Sequence, residues 1–270
     1  MDLPPAEAER LGIVVAPLSV AFADINLHDD GLSRPDFYQR LEAAERPPLV
    51  TGASADAFTE AFERAKERGP EIVCMVMSVE SSFTYVAAEV AVRRVSGLQI
   101  SIINTGRSLA AQAALAIVAA EAASAGQAQE DIVRLVEDLS AASETYLVPA
   151  TTDYLRRADR LTTLGQGPVG RLEGAIPILR VRGRLTAVAK APDAATARTM
   201  MLDMATKAAD PAREYIAVVT HAVAPELGAQ LADELSSRIK CRPPLITDLG
   251  PTVGAYLGPG TVGVGYCPAP

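Results

Sequence analysis

Glu71-Ile72-Val73-Cys74-Met75-Val76-Met77-Ser78 decides the fold: its apolar residues are uninterrupted from Ile72 to Met77, and a small polar residue closes the run. Such a run reads as a strand buried on both faces, as in a parallel sheet. Before it, Ala57, Phe58, Ala61, Phe62 and Ala65 form a helical stripe over 56–68. After it come a helix over 83–94, a strand from Gln99 to Thr105 and a helix over 108–124. This alternation of strand and helix predicts a parallel, doubly wound sheet. A helix over 128–143 and a strand over 145–150 complete the first half. Upstream, Ile13 to Val20 reads as a strand weakened by Pro17. Ser33 and Pro35 open a helix over 35–45, and Arg46-Pro47-Pro48 stops it.

The second half has a different rhythm. Ala175–Val181 and Arg184–Ala189 flank Arg182-Gly183 as a hairpin. A helix over 194–207, a strand from Tyr215 to Thr220 and a helix over 225–239 follow. Three short strands, 244–248, 253–257 and 261–266, end the chain. The expected fold class is α/β in two domains. Residues 1–150 form a parallel-sheet domain, and residues 151–270 a mostly antiparallel α+β domain.

Composition narrows the function classes. The 270 residues are 49% hydrophobic, enough for a substantial core. A net charge of −8 argues against nucleic acid or an anionic membrane as partner. Cys74, Cys241 and Cys267 form no CxxC pair, which fits a reducing cytoplasm. His28 and His221 are far apart, so a histidine metal centre is not expected. No basic-then-apolar leader opens the sequence, and no apolar run reaches the roughly 18 residues of a membrane span. Leu109 to Ala120, broken by Gln112, reads as a buried helix.

Ligands of open parallel sheets bind beyond the carboxyl ends of the strands. Here those ends carry hydroxyls: Ser78, Ser81, Ser82, Thr84 and Tyr85 after one strand, Asn104 and Thr105 after the next, and Thr51 and Ser54 ahead of a helix. Neutral donors near helix N-termini suit a carboxylate or phosphate. The same residue types also serve as N-caps and turns, and local pattern leaves both roles open. Glycine-dense Gly258-Pro259-Gly260 allows close backbone approach to a ligand or forms a tight turn. A hydrolase using Ser82 is an alternative, but no GxSxG elbow is present and His221 reads as a loop-capping histidine. Gly165-Gln166-Gly167-Pro168-Val169-Gly170 imitates GxGxxG without a preceding strand.

The ordered motifs resemble the DegV family over nearly the whole chain. Asp2-Leu3-Pro4-Pro5 with Leu11–Leu18 is similar to its opening, and Phe37-Tyr38 to its FY pair. Thr51-Gly52-Ala53-Ser54 stands at its TSQPS and Ser78–Tyr85 at its SSxLSGTY. Asp153–Arg160, Ala175–Leu179 and Gly254–Gly260 match three later motifs. The resemblance implies a non-catalytic carrier that holds a long-chain fatty acid between two domains, with the head-group site on residues 1–150 and the acyl tail enclosed by residues 151–270, in some members for a fatty acid kinase. No cofactor is implied beyond the bound fatty acid. Carried over residue by residue, Thr51 and Ser82 contact the carboxylate, and Tyr256 takes the place of a histidine. Ser54, Asn104 and Gly258 complete the expected ligand set. Arg160 and Lys190 fall where arginines are tied to kinase docking. Phe83, Asn104 and Tyr256 depart from the family pattern, so a different amphiphile with no kinase partner is a second reading. The family's first strand would precede Asp2, and a sheet without it would have unpaired backbone groups and a gap in its core.

Overall fold

The computed structural model describes residues 2–28 and 33–270. A short helix α1 (Pro5–Arg10) leads into a small antiparallel sheet. Its strands are β1 (Ser19–Ala21), β2 (Asn26–His28) and β3 (Leu49–Thr51), and helix α2 (Arg34–Ala43) lies between the last two. The strand expected from Ile13 to Val20 shrinks to β1, and residues 13–18 join no sheet among the described residues. Pro17 lacks the N–H a ladder needs. Ser33 caps α2 as expected, its Oγ accepting from Asp36 N at 3.2 Å.

Helix α3 (Ala55–Lys66) and strand β4 (Glu71–Val76) come next, then α4 (Thr84–Val92) and β5 (Gln99–Asn104). Strands β4 and β5 pair in parallel, from Glu71 with Gln99 to Val76 with Asn104. Both faces of β4 are covered, as its apolar run requires. Cys74 and Val76 pack with Phe58 and Phe62, whereas Val73 and Met75 pack with Ile103, Ile132 and Val136. Helices α5 (Leu109–Ser124) and α6 (Gln129–Ala141) complete this part.

Strand β6 (Glu144–Val148) crosses into a larger sheet. Two short helices, α7 (Asp153–Arg157) and α8 (Arg160–Gly165), precede the hairpin β7 (Ile176–Arg182) and β8 (Arg184–Ala191). Then follow α9 (Ala194–Ala208), β9 (Tyr215–His221), α10 (Pro225–Arg238), β10 (Leu245–Asp248), α11 (Pro251–Leu257) and β11 (Val262–Pro268). The six strands run β10-β9-β11-β6-β7-β8, and only β10 and β9 are parallel. The expected class is therefore observed, a small parallel sheet joined to a mostly antiparallel one. The strand expected over 253–257 is instead helix α11. Pro251 starts it, and Gly258 ends it with a positive φ of 75°.

Val262, Val264 and Tyr266 of β11 face the core under α9 and α10. On the opposite face, α5 packs against Val218, Ile216 and Cys267. Twelve of the sixteen residues of α5 are buried, so it is covered nearly all round. Helix α5 thus sits between the parallel pair β4–β5 and the six-stranded sheet, and α11 packs on α2, β1 and β3.

Candidate functional site

The site is built where β4 and β5 end. Thr51 is the last residue of β3, and the following turn carries the chain into α3. A Cβ placed on Gly52 would stand 3.1 Å from both Ser82 Oγ and Thr84 Cγ2. The Thr51–Gly52 turn and the Ser82–Thr84 segment are therefore in van der Waals contact. Ser82 Oγ accepts from Thr84 N at 3.2 Å, which orients the start of α4. The Thr84 side chain is buried, and its hydroxyl has no hydrogen-bond partner among the described residues. A buried hydroxyl without a partner is an open donor, and one beside a helix N-terminus suits an anionic oxygen.

The hairpin of the second part closes over these strand ends. Ser81 Oγ donates to Gly183 O at 3.0 Å, and Gly183 N donates to Gly106 O at 2.9 Å. Arg184 Nε lies 3.3 Å from a Glu80 carboxylate oxygen. The turn at Arg182-Gly183, legible from sequence only as a hairpin, is thus the bridge from one part to the loops of the other.

The remaining expected residues have local duties. Ser54 caps α3, its Oγ accepting from Ala57 N at 3.1 Å. Asn104 Oδ1 accepts from Gly106 N at 3.2 Å and shapes the turn after β5. Tyr256 lies on α11 in the apolar cluster with Phe37, Tyr38 and Leu155, and the Arg160 guanidinium sits 5.0 Å above its ring. No hydrogen bond among the described residues joins Tyr256 to Thr51 or Ser82. Gly258 packs against the Tyr154 ring, where a Cβ has no room. Lys190 is exposed, and its Nζ donates to Arg171 O at 2.7 Å. His221 accepts from Ala224 N through Nδ1 at 3.5 Å, a loop cap as its sequence position suggests. Gly165–Gly170 begins at the last residue of helix α8 rather than after a strand. Thr84 is the residue that sequence reasoning left undistinguished among its neighbouring hydroxyls. Only its burial and missing partner set it apart.

A groove of about 650 Å³ follows the edge of β4 that does not pair with β5. Phe58, Ala61 and Phe62 form one wall, Ala116 and Ala119 the other, and Thr84 lies at one end. Gln99 N donates to Pro70 O and Thr105 N to Val76 O, so the even-numbered residues of β4 face β5. By the alternation of the pleat, Val73 and Met75 turn their N–H and C=O groups to the groove. Drying one such group without a partner costs about 1–3 kcal/mol, so four cost about 4–12 kcal/mol. That offsets the burial of roughly 5 to 15 methylenes at about 0.8 kcal/mol each. A hydrocarbon chain therefore gains little by lying along this edge.

Hydroxyls gathered at the carboxyl ends of a small parallel sheet, under a hairpin from an antiparallel sheet, define a two-part α/β protein with a polar site at their junction. Comparison with known proteins gives this architecture a family. The family model described as "Uncharacterised protein, DegV family" matches residues 1–269. A DegV domain-containing protein of Streptomyces coelicolor is 32% identical over 266 residues, covering 97% of this chain and 93% of the relative. The chain belongs to the DegV family. Among solved structures, one from Thermus thermophilus described as a fatty-acid-binding DegV family protein superposes with a TM-score of 0.86 at 23% identity, covering 99% of this chain and 96% of the other. A stearic acid-binding protein from Eubacterium ventriosum gives 0.87 at 20% identity, covering 99% and 95%.

Proposed function

We propose that this protein is a non-catalytic carrier of a long-chain fatty acid. The carboxylate is held by Thr51, Ser82 and Thr84, and the acyl chain is enclosed between the two parts. The observation that carries the reading is the contact of the Gly52 turn with Ser82 and Thr84, at the end of which a buried hydroxyl has no partner. The fatty-acid-binding descriptions of the Thermus and Eubacterium proteins support the ligand class. Apolar burial, at about 0.8 kcal/mol per methylene, supplies most of the affinity, and the hydroxyls orient the head group. In this reading Tyr256 is held by Arg160 and lines the apolar side rather than taking the carboxylate. Arg160 and Lys190 are exposed and available to a fatty acid kinase that receives the bound carboxylate.

Native mass spectrometry of delipidated protein with added palmitate tests the binding. One palmitate per chain is expected, with uptake sharply reduced in a Thr51→Ala, Ser82→Ala double variant. Failure of the unaltered protein to take up palmitate or oleate overturns the proposal.

A further inference from the structure

The larger sheet carries a charged pocket that the fatty acid reading does not use. We infer that this pocket binds the phosphate group of a small, polar phosphomonoester. It encloses about 350 Å³ where β6 begins, β7 ends and α9 runs into β9. Glu144, Arg182, Asp210, Arg213 and Tyr215 line it, and the rest of the lining is alanine, so an acyl chain finds no apolar wall there. In a chain of net charge −8 this corner is positive. Arg180 Nε donates to the Glu144 carboxylate at 2.7 Å, and Arg182 lies 3.4 Å from the same group. Arg107 is buried beside them, its donors spent on the carbonyls of Ser143, Gly106 and Ala141. Burial, and next the Arg182 charge, hold the Arg107 guanidinium below its ordinary value. Three guanidiniums thus answer to one carboxylate.

Unused donors converge on the space. Arg213 makes no hydrogen bond among the described residues, and its ion-pair partner Asp210 stands 3.8 Å away. Arg182 spends two nitrogens on Glu144 and Ala141 O, which leaves Nε. The Tyr215 hydroxyl accepts from Asp210 N at 2.7 Å and keeps its own proton to give. Donors arriving from β7, β9 and the loop before β9 suit the several oxygens of a tetrahedral phosphate better than the two of a planar carboxylate. The opposing charge is Asp210, whose Oδ1 accepts from Ala212 N at 2.9 Å. The volume is that of a small-molecule site rather than of a lone ion, which leaves room for the esterified portion.

The inference does not rest on fatty acid binding. Glycerol 3-phosphate and inorganic phosphate are titrated calorimetrically into the full chain at constant ionic strength, with acetate as the planar control. One glycerol 3-phosphate per chain is expected, with inorganic phosphate competing for it and acetate failing to. Arg213→Gln removes an exposed guanidinium that makes no hydrogen bond, and should weaken the ester at least about tenfold with melting temperature and palmitate uptake unchanged. Asp210→Asn keeps an acceptor for Ala212 N, removes the opposing charge and should tighten binding about threefold or more. Absence of saturable binding of the ester at millimolar concentration overturns the proposal. So does equal affinity in Arg213→Gln, weaker binding in Asp210→Asn, or competition by acetate. Displacement of the ester by palmitate also overturns it, because the pocket would then be the fatty acid's own head-group site. Loss of palmitate uptake with glycerol 3-phosphate still bound would sink only the lipid reading.

Discussion

Replacing Thr84 by valine separates a residue kept for a ligand from one kept for the fold. The side chain is buried, and its hydroxyl has no partner among the described residues. Valine has nearly the same shape, so the packing against Gly52 is retained and the stranded hydroxyl is removed. Relief of an unsatisfied buried polar group is worth about 1 kcal/mol. For a chain of this size that raises the melting temperature by roughly 2–4 °C. The same change deletes a donor to the proposed carboxylate. A hydrogen bond to a charged group is worth about 1.5–3 kcal/mol, so palmitate affinity should fall roughly 10- to 150-fold. Urea denaturation of delipidated protein reads the first effect, and palmitate titration reads the second. A variant that is less stable and binds palmitate as well as the unaltered chain would refute the reasoning. The hydroxyl would then be serving the fold.

Three further outcomes follow from other parts of the molecule. Gly254→Ala places a Cβ against the hydroxyl end of Tyr38, which donates to Leu249 O in the buried junction of α2 and α11, and should destabilise by about 1–3 kcal/mol in urea melts. Arg180→Met removes the closest partner of Glu144, whose side chain is 7% exposed, leaving Arg182 at 3.4 Å, and should cost about 2–3 kcal/mol by the same measurement. Burial pushes the Cys74 thiol up to about 12 from an ordinary 9.0, so at pH 8 iodoacetamide should label it only after unfolding. The unfolded thiol ionises first, so its share of stability is present below about pH 9 and lost as pH climbs towards 12. Cys74→Ala should flatten that part of the stability curve.

The elements that follow from local pattern were legible in the sequence. The unbroken run from Ile72 to Met77 announces β4, and the stripe of Ala57, Phe58, Ala61 and Phe62 announces α3. Long-range pairing was less visible. Glu144–Val148 reads as the last strand of the first half, yet it pairs with β11 and β7, because nothing in a five-residue strand specifies its neighbours. Helix α11 was misread because seven residues with a central glycine show neither helical nor strand period clearly, and its packing on α2 overrides weak propensity. At the site, residue types pointed to two loops that the fold brings into contact, around Gly52 and Ser82–Thr84. The capping role of Ser54 and the stranded hydroxyl of Thr84 depend on hydrogen-bond geometry that a sequence does not carry.

The glycines of β11 have a mechanical consequence. A Cβ on Gly265 would lie 2.6 Å from the Ala110 methyl and 2.9 Å from Ala111 N, so helix and strand meet almost backbone to backbone. Alanine and glycine have no rotamers with which to absorb a displacement. Helix α5 therefore behaves as a keyed joint, unable to slide on the larger sheet without collision. Any rearrangement of the rest of the molecule therefore turns about this seam, which stays still.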